Sequence, residues 1–300
     1  MLAPRARETV TSQSERVMFV FKAGVVGAGT MGGGIAYVVA DADIPVVLKD
    51  VEQRFVDRGL EQARSLWDAR VEAGKLAASE RDRKLALITG VTDYAQFSDV
   101  DFVIEAVPER MPVKQAVFAE LDEVTPGQAI LASNTSALSI TEIGEVTSRP
   151  DKVVGFHFFY PVSEARAIEV VEGDDTSAQT AQAASNFAQA IRRMPLRCAE
   201  VPGFVVNRIL NAGVSELWRG QEEAGISVEE FDALVMEAGD RRAGPFLVAD
   251  VLGLDTVVHI AEHLRASYGD RFHVHGLMSE LVASGELGVK TGKGFYEHGS

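Results

Sequence analysis

Val25-Val26-Gly27-Ala28-Gly29-Thr30-Met31-Gly32 confines the fold more tightly than any other stretch of this chain. An apolar run meets three glycines in G-x-G-x-x-G spacing, and the residues beyond continue as a helix through Ala40. This reads as a buried strand, a tight turn and a helix N-terminus. Gly27 permits the turn, Gly29 lets the backbone approach a pyrophosphate, and Gly32 lets the helix pack closely on a sheet. The free N–H groups of the first helical turn, at Thr30 and Met31, are then offered to an anion. Pro45-Val46-Val47-Leu48-Lys49-Asp50 supplies a second buried strand and completes a βαβ unit.

Asp50 gives the turn its chemistry. A carboxylate at the end of the second strand accepts hydrogen bonds from ribose hydroxyls and repels a 2′-phosphate, so the expected cofactor is NAD rather than NADP. The adjacent Lys49 is the one nearby cation able to tolerate that phosphate. Elsewhere the charge balance narrows the partners. A net charge of -15 disfavours nucleic acid or an anionic membrane surface. No apolar run reaches the length of a membrane span. The single cysteine, Cys198, allows no intrachain disulfide and points to a reducing, cytoplasmic setting. It reads as a small buried hydrophobe. In residues 1–17 the acids Glu8 and Glu15 interrupt Arg5, Arg7 and Arg16, which suits a tail better than a targeting segment.

Taken in order, the apolar runs alternate between strands and helices. Residues 52–88 read as helical, with Val56, Leu60, Ala63, Trp67 and Val71 on one stripe, Gly74 as a stop and Ser79 as the next cap. The cations of this segment (Arg64, Arg70, Lys75, Arg81, Arg83, Lys84) form either a solvated face or a landing site for a phosphate-bearing substrate. Strands follow at 101–107, 129–132, 152–159 and 168–171, with helices between them. After Val201-Pro202-Gly203 the pattern becomes helical throughout. The expected architecture is α/β, a Rossmann-type doubly wound sheet over residues 18–200 followed by an all-helical domain over 201–300.

Four polar residues fall at strand ends or turns, where such a fold places its ligand crevice: Ser136, His157, Glu169 and Asn207. Glu169 stands inside the apolar run Ala167–Val171, and a glutamate buried there needs a donor or cation. His157, in Val153–Phe159, is a suitable partner on a neighbouring strand. The pair fixes which imidazole nitrogen faces a substrate, as a general base taking a proton from an alcohol requires. His259 with His263, and His273 with His275, lack the carboxylate or cysteine pattern that completes a zinc site, and no metal is expected.

The runs GAGTMGGGIA, ILASNTSALSI, GFHFFYP, IEVV, VPGFVVNRIL and KTGKGFYEH resemble the L-3-hydroxyacyl-CoA dehydrogenase family, in that family's order, from about residue 18 onward. VVLKD and IEAVPE followed by Lys114 look most like the dehydrogenase part of multifunctional fatty-acid oxidation enzymes. The resemblance implies an NAD-dependent, reversible oxidation of L-3-hydroxyacyl-CoA in fatty-acid β-oxidation. It implies His157 as general acid/base, Glu169 as its orienting partner, and Ser136 and Asn207 as hydrogen-bond donors to the reacting oxygen. Glu109 and Lys114 would lie near the cofactor ribose and nicotinamide. Residues 201–300 would close the crevice and form a homodimer. Tyr160 stands where the family has asparagine, Ala137 where a second hydroxyl is common, and Ser163–Ala167 where apolar residues are usual. Glu164 and Arg166 then either favour a short or polar acyl group or pair with each other at the surface. Two other functions remain: a dehydrogenase of another 3-hydroxy acid or carrier-bound thioester, and a non-catalytic NAD-binding protein.

Overall fold

The computed structural model describes residues 19–239 and 242–299; the expected tail of residues 1–17 lies outside them. The chain opens with β1 (Ala23–Val26), α1 (Thr30–Asp41) and β2 (Val46–Lys49), then α2 (Gln53–Glu72), α3 (Ala78–Leu85) and β3 (Ile88–Val91). It continues through β4 (Phe102–Glu105), α4 (Met111–Val124), β5 (Ile130–Ser133), α5 (Ile140–Gly144), β6 (Val153–Phe158), β7 (Ala167–Glu172), α6 (Ala178–Ala190) and β8 (Met194–Ala199). The strands form one eight-stranded sheet in the order β3-β2-β1-β4-β5-β6-β7-β8. β1 to β6 are parallel, β7 is antiparallel to β6, and β8 is parallel to β7.

Burial on both faces explains the unbroken apolar strands. Val25, Phe102 and Ile104 pack with residues of α1, α2 and α6, while Val26, Val103 and Leu131 pack with Phe118 and Leu121 of α4 and Ile140 and Ile143 of α5. The reversal at β7 has a simple cause. The connection from Phe158 to Ala167 is too short for a parallel crossover, which needs a dozen residues or more, so β7 must return antiparallel. In that register His157 lies directly opposite Glu169.

The segment 52–88 departs from its helical reading at its end. Ile88 begins β3, a short edge strand whose residues alternate too little to announce themselves. Ser79 does not cap α3; Ala77 does, without a side-chain hydrogen bond. The cations are mostly spoken for: Arg70 pairs with Asp41, Arg81 with Asp68, Arg83 with Asp43 and Glu80, and the buried Lys84 with Asp43. That is a helix-to-helix ion-pair lattice, not an open phosphate site.

Beyond β8 come α7 (Val206–Ala224), α8 (Val228–Gly239), α9 (Pro245–Leu252), α10 (Leu254–Tyr268) and α11 (Gly276–Ser284). They share a core of Trp218, Phe246, Leu254, Val258 and Met278, against which Phe295 and Tyr296 of the C-terminal segment pack. Two buried carboxylates tie this core together. Asp232 accepts from the N–H groups of Phe246 and Leu247 and from the Tyr296 hydroxyl. Asp250 accepts from the N–H groups of Phe295 and Tyr296 and bonds to His298 Nε2 at 2.8 Å. His273 and His275 reach Glu222 and Gln221 of α7. Replacing Asp250 with alanine strands these partners in a buried site, and we expect a loss of about 3 kcal/mol or more in urea unfolding. An unchanged midpoint in that variant would mean packing alone holds the C-terminal segment.

Candidate functional site

Strand order reverses beside β1, whose neighbours are β2 and β4, and the crevice lies outside the carboxyl ends of these strands. Gly27, with φ of +100°, makes the turn there; a Cβ on it would meet the Ala106 carbonyl oxygen at 2.6 Å. A Cβ on Gly32 would fall 1.7 Å from the Gly27 oxygen, so the first turn of α1 rests on the loop itself. Gly29 differs: its position meets nothing within 4 Å, and it faces the crevice at the start of α1. No side chain caps α1 and its first turn holds no acid, so the N–H groups near Thr30 and Met31 keep their positive potential for an anion. Asp50 accepts from Ala28 N–H at 2.7 Å and Val51 N–H at 2.6 Å, which sets its half-exposed carboxylate at the mouth of the loop. Lys49 turns to the other face, buried, with Nζ 4.3 Å over the Tyr94 ring. The open glycine, the uncapped helix and the free edge of a carboxylate fit an NAD pyrophosphate and ribose.

At the end of β6 the second half of the site assembles. His157 is 4% exposed and Glu169 is fully buried. His157 Nδ1 and Glu169 Oε2 are 2.8 Å apart, and Ser136 Oγ is 3.0 Å from Nε2. The other carboxylate oxygen, Oε1, accepts from the N–H groups of Val205 and Val206 at 2.9 and 2.7 Å. Burial pushes the Glu169 carboxyl up, but the bonds from His157, Val206 and Val205 outweigh it and hold the group below the usual carboxylate range. An ionised Glu169 can only accept, so Nδ1 carries a proton; in the neutral ring Nε2 is then the acceptor, with the Ser136 hydroxyl against it. Phe159 and Phe204 flank the ring edge-on at 4.7 and 5.9 Å. Asn207 follows at the start of α7, half-buried, its backbone carbonyl accepting from Asn211 Nδ2.

Between these halves runs a polar network, buried at Glu105, Lys114 and Thr135 and open at Glu109. Glu109 accepts from Ser136 N–H and the Thr135 hydroxyl, and pairs with Lys114 at 3.1 Å. Burial again raises the Glu109 carboxyl, and the Lys114 charge with these bonds brings it below its ordinary value. Lys114 is 1% exposed and also pairs with Glu105, a fully buried carboxylate at the end of β4. The Lys114 ammonium is therefore held beneath the crevice floor, while Glu109 remains partly open to it. Glu105 is an addition to the site residues expected from the sequence. Its signal is a weaker form of the one at Glu169, an acid that ends an apolar run where Glu169 stands inside one.

Around the rim, Tyr160, Glu164 and Arg166 are exposed. Glu164 and Arg166 do not pair with each other, and neither side chain forms an ion pair among the described residues. The segment is set instead by Val162, which packs at Gly34 of α1, and by Arg193, whose guanidinium donates to the Val162 carbonyl at 3.2 Å. Cys198 is half-buried in β8, its thiol pushed up to about 12 by burial and nearby glutamates.

Two family models match the chain: the 3-hydroxyacyl-CoA dehydrogenase NAD binding domain over residues 22–201, and the 3-hydroxyacyl-CoA dehydrogenase C-terminal domain over residues 203–298. Among solved structures, (S)-3-hydroxybutyryl-CoA dehydrogenase PaaH1 from Ralstonia eutropha is 36% identical with a TM-score of 0.89, the match covering 94% of this chain and 100% of that one. FadB2 from M. tuberculosis is 35% identical with a TM-score of 0.89, over 94% of this chain and 100% of its own. A 3-hydroxybutyryl-CoA dehydrogenase from Escherichia coli is 35% identical with a TM-score of 0.88, over 93% of this chain and 60% of its own.

Because Gly29 touches nothing and its φ of -73° suits any residue, Gly29→Ala should melt within about 0.5 kcal/mol of the parent. The same variant should bind NADH about tenfold or more weakly in a fluorescence titration. Undiminished binding would remove the pyrophosphate from this turn. Glu169 adds a pH dependence. Its native-state value is depressed, so its stabilisation is complete above the unfolded value near 4.5 and is lost as pH falls below it. In denaturant titrations the advantage of the parent over Glu169→Gln should therefore hold at pH 6–7 and shrink below about pH 4.5. A constant difference would mean that Glu169 is not ionised in the native state.

Proposed function

The chain belongs to the 3-hydroxyacyl-CoA dehydrogenase family of NAD-dependent oxidoreductases, and on that premise we propose that it interconverts an L-3-hydroxyacyl-CoA and its 3-oxoacyl thioester with His157 as general acid and base. The observation that carries this reading is the row Glu169–His157–Ser136, with contacts of 2.8 and 3.0 Å that orient the ring and set a hydroxyl beside Nε2. Bound NAD supplies the hydride acceptor. The protein's own part is to handle the proton. Nε2 takes it from the 3-hydroxyl in oxidation and returns it to the forming alcohol in reduction. The developing imidazolium is balanced by Glu169, whose charge is already fixed by Val205 and Val206. Ser136 Oγ, already at Nε2, steadies the reacting oxygen, and Asn207 at the start of α7 offers a second donor. Asp50 and the turn from Gly27 to Gly32 hold the ribose and pyrophosphate, with Glu109 at the partly open edge nearer the histidine.

Several finer readings go with this one. Residues 18–200 form the cofactor domain and 201–300 the substrate and pairing domain. Exposed Ile209 and Leu210 of α7, Val251 and Leu252 of α9, and Leu277 of α11 support a homodimer through the helical domain. The natural setting is cytoplasmic fatty-acid β-oxidation. No helix among the described residues is long and apolar enough to cross a membrane. The exposed Tyr160, Glu164 and Arg166 make a more polar rim than family members usually carry, which favours short acyl groups.

NADH oxidation with acetoacetyl-CoA tests the activity, and His157→Gln should lower kcat about 10²- to 10⁴-fold at unchanged NADH affinity. Near-normal turnover in that variant would take His157 out of the mechanism. Equal rates with free 3-oxo acids would favour a substrate other than the CoA thioester.

A further inference from the structure

Glu105 ends β4 at the base of the crevice, in register with Val26 on one side and Ser133 on the other. It is fully buried and takes no part in the proton transfer described above. Its carboxylate accepts from Lys114 Nζ at 2.8 and 3.1 Å, from Ser133 Oγ at 2.7 Å and from Val107 N–H at 2.7 Å. Two routes lead outward from it. In one, Lys114 reaches Glu109 at 3.1 Å, and Glu109 accepts the Ser136 N–H at 2.8 Å. In the other, Ser133 Oγ accepts the Thr135 N–H at 3.2 Å, while the Thr135 hydroxyl also donates to Glu109. Both converge on the turn that carries Ser136, whose Oγ stands 3.0 Å from His157 Nε2.

We infer that Glu105 is a positioning residue for the proton-transfer step, acting through Lys114, Glu109 and Ser133 to fix Ser136 beside His157. The inference rests on the roles proposed above for Ser136 and His157. Its physical basis is that two carboxylates share one ammonium. Lys114 is drawn from both sides, so Glu109 keeps enough charge free to hold the Ser136 backbone. Lys114 sits on Glu109 Oε2 while Oε1 accepts the Ser136 N–H, so with Glu105 uncharged Lys114 is drawn to Glu109 alone and pulls that carboxylate off the Ser136 N–H. The turn then relaxes away from Nε2. Asp50 and the Gly27–Gly32 loop exchange no side-chain hydrogen bond with this network, so the groups given to the pyrophosphate are left in place and the loss should fall on turnover more than on cofactor affinity.

A double-mutant cycle between Glu105→Gln and Ser136→Ala tests this. Glutamine keeps the size of the side chain and an acceptor for Ser133. In the parent, Glu105→Gln should lower kcat for acetoacetyl-CoA reduction by about 10-fold or more. KM should stay within about twofold, and any change in NADH Kd by fluorescence should be smaller than the loss in kcat. In the Ser136→Ala background the same change should cost less than about twofold, since no hydroxyl remains to be placed. Equal losses in both backgrounds, or an unchanged kcat in the parent, overturn the inference. Should Glu105→Gln fail to fold, Ser133→Ala cuts one route without touching the charges. It should show a smaller kcat loss that also vanishes beside Ser136→Ala; a loss that persists there overturns the inference. A Ser136→Ala variant as fast as the parent overturns the role given to Ser136 and this inference with it, whereas additive losses overturn this inference alone.

Discussion

A carboxylate with no access to water has to be satisfied on both oxygens, and Glu169 is satisfied from two directions. One oxygen holds the imidazole of His157; the other holds the first backbone N–H groups of the helical domain. Neither arrangement is optional once the charge is buried. The antiparallel turn of β7 brings Glu169 opposite His157. The chain then re-enters beneath it at Gly203 and Phe204, both with positive φ, which aims Val205 and Val206 at Oε1. Phe204 pays for that turn with a backbone conformation few residues adopt, and its ring is buried against the histidine.

The same device recurs at each point where the fold must hold a loop still. Glu105 takes Val107 N–H, Asp232 takes Phe246 and Leu247, and Asp250 takes Phe295 and Tyr296. In every case a buried acid accepts backbone N–H groups from a segment leaving or entering an element, and a side-chain donor completes it. Such groups are costly to bury and specific in what they accept, so they fix geometry more than they add stability. The crevice needs that rigidity, because its two halves come from strands on different sides of the sheet reversal.

Much of this was legible in the residues. The glycine turn, Asp50 and the apolar strands follow from local rules of sterics and burial, and the helical character after residue 200 follows from periodicity. The pairing of His157 with Glu169 was legible because a lone acid in an apolar strand demands a partner. Glu105 makes the same demand, but it closes its strand, where an acid also passes for a surface residue. β3 was hidden because four residues at a sheet edge carry no clear alternation. Ala77, not the expected Ser79, caps α3, since the preference for serine at a helix start is only a tendency. The exposed Glu164 and Arg166 show the limit of charge complementarity as a guide: opposite signs two residues apart need not meet.

Asp232 and Asp250 bear on how the chain comes into being. Every strand of the sheet is present once Ala199 has been synthesised, so that domain can close during elongation. The helical domain has no such freedom. Its two acids lack their last partners until Phe295, Tyr296 and His298 arrive, and Phe295 and Tyr296 also complete its apolar core. The sheet thus has all its strands, and Glu169 its Val205 and Val206 donors, in the chain about ninety residues before the helical core can be completed, roughly a third of its length.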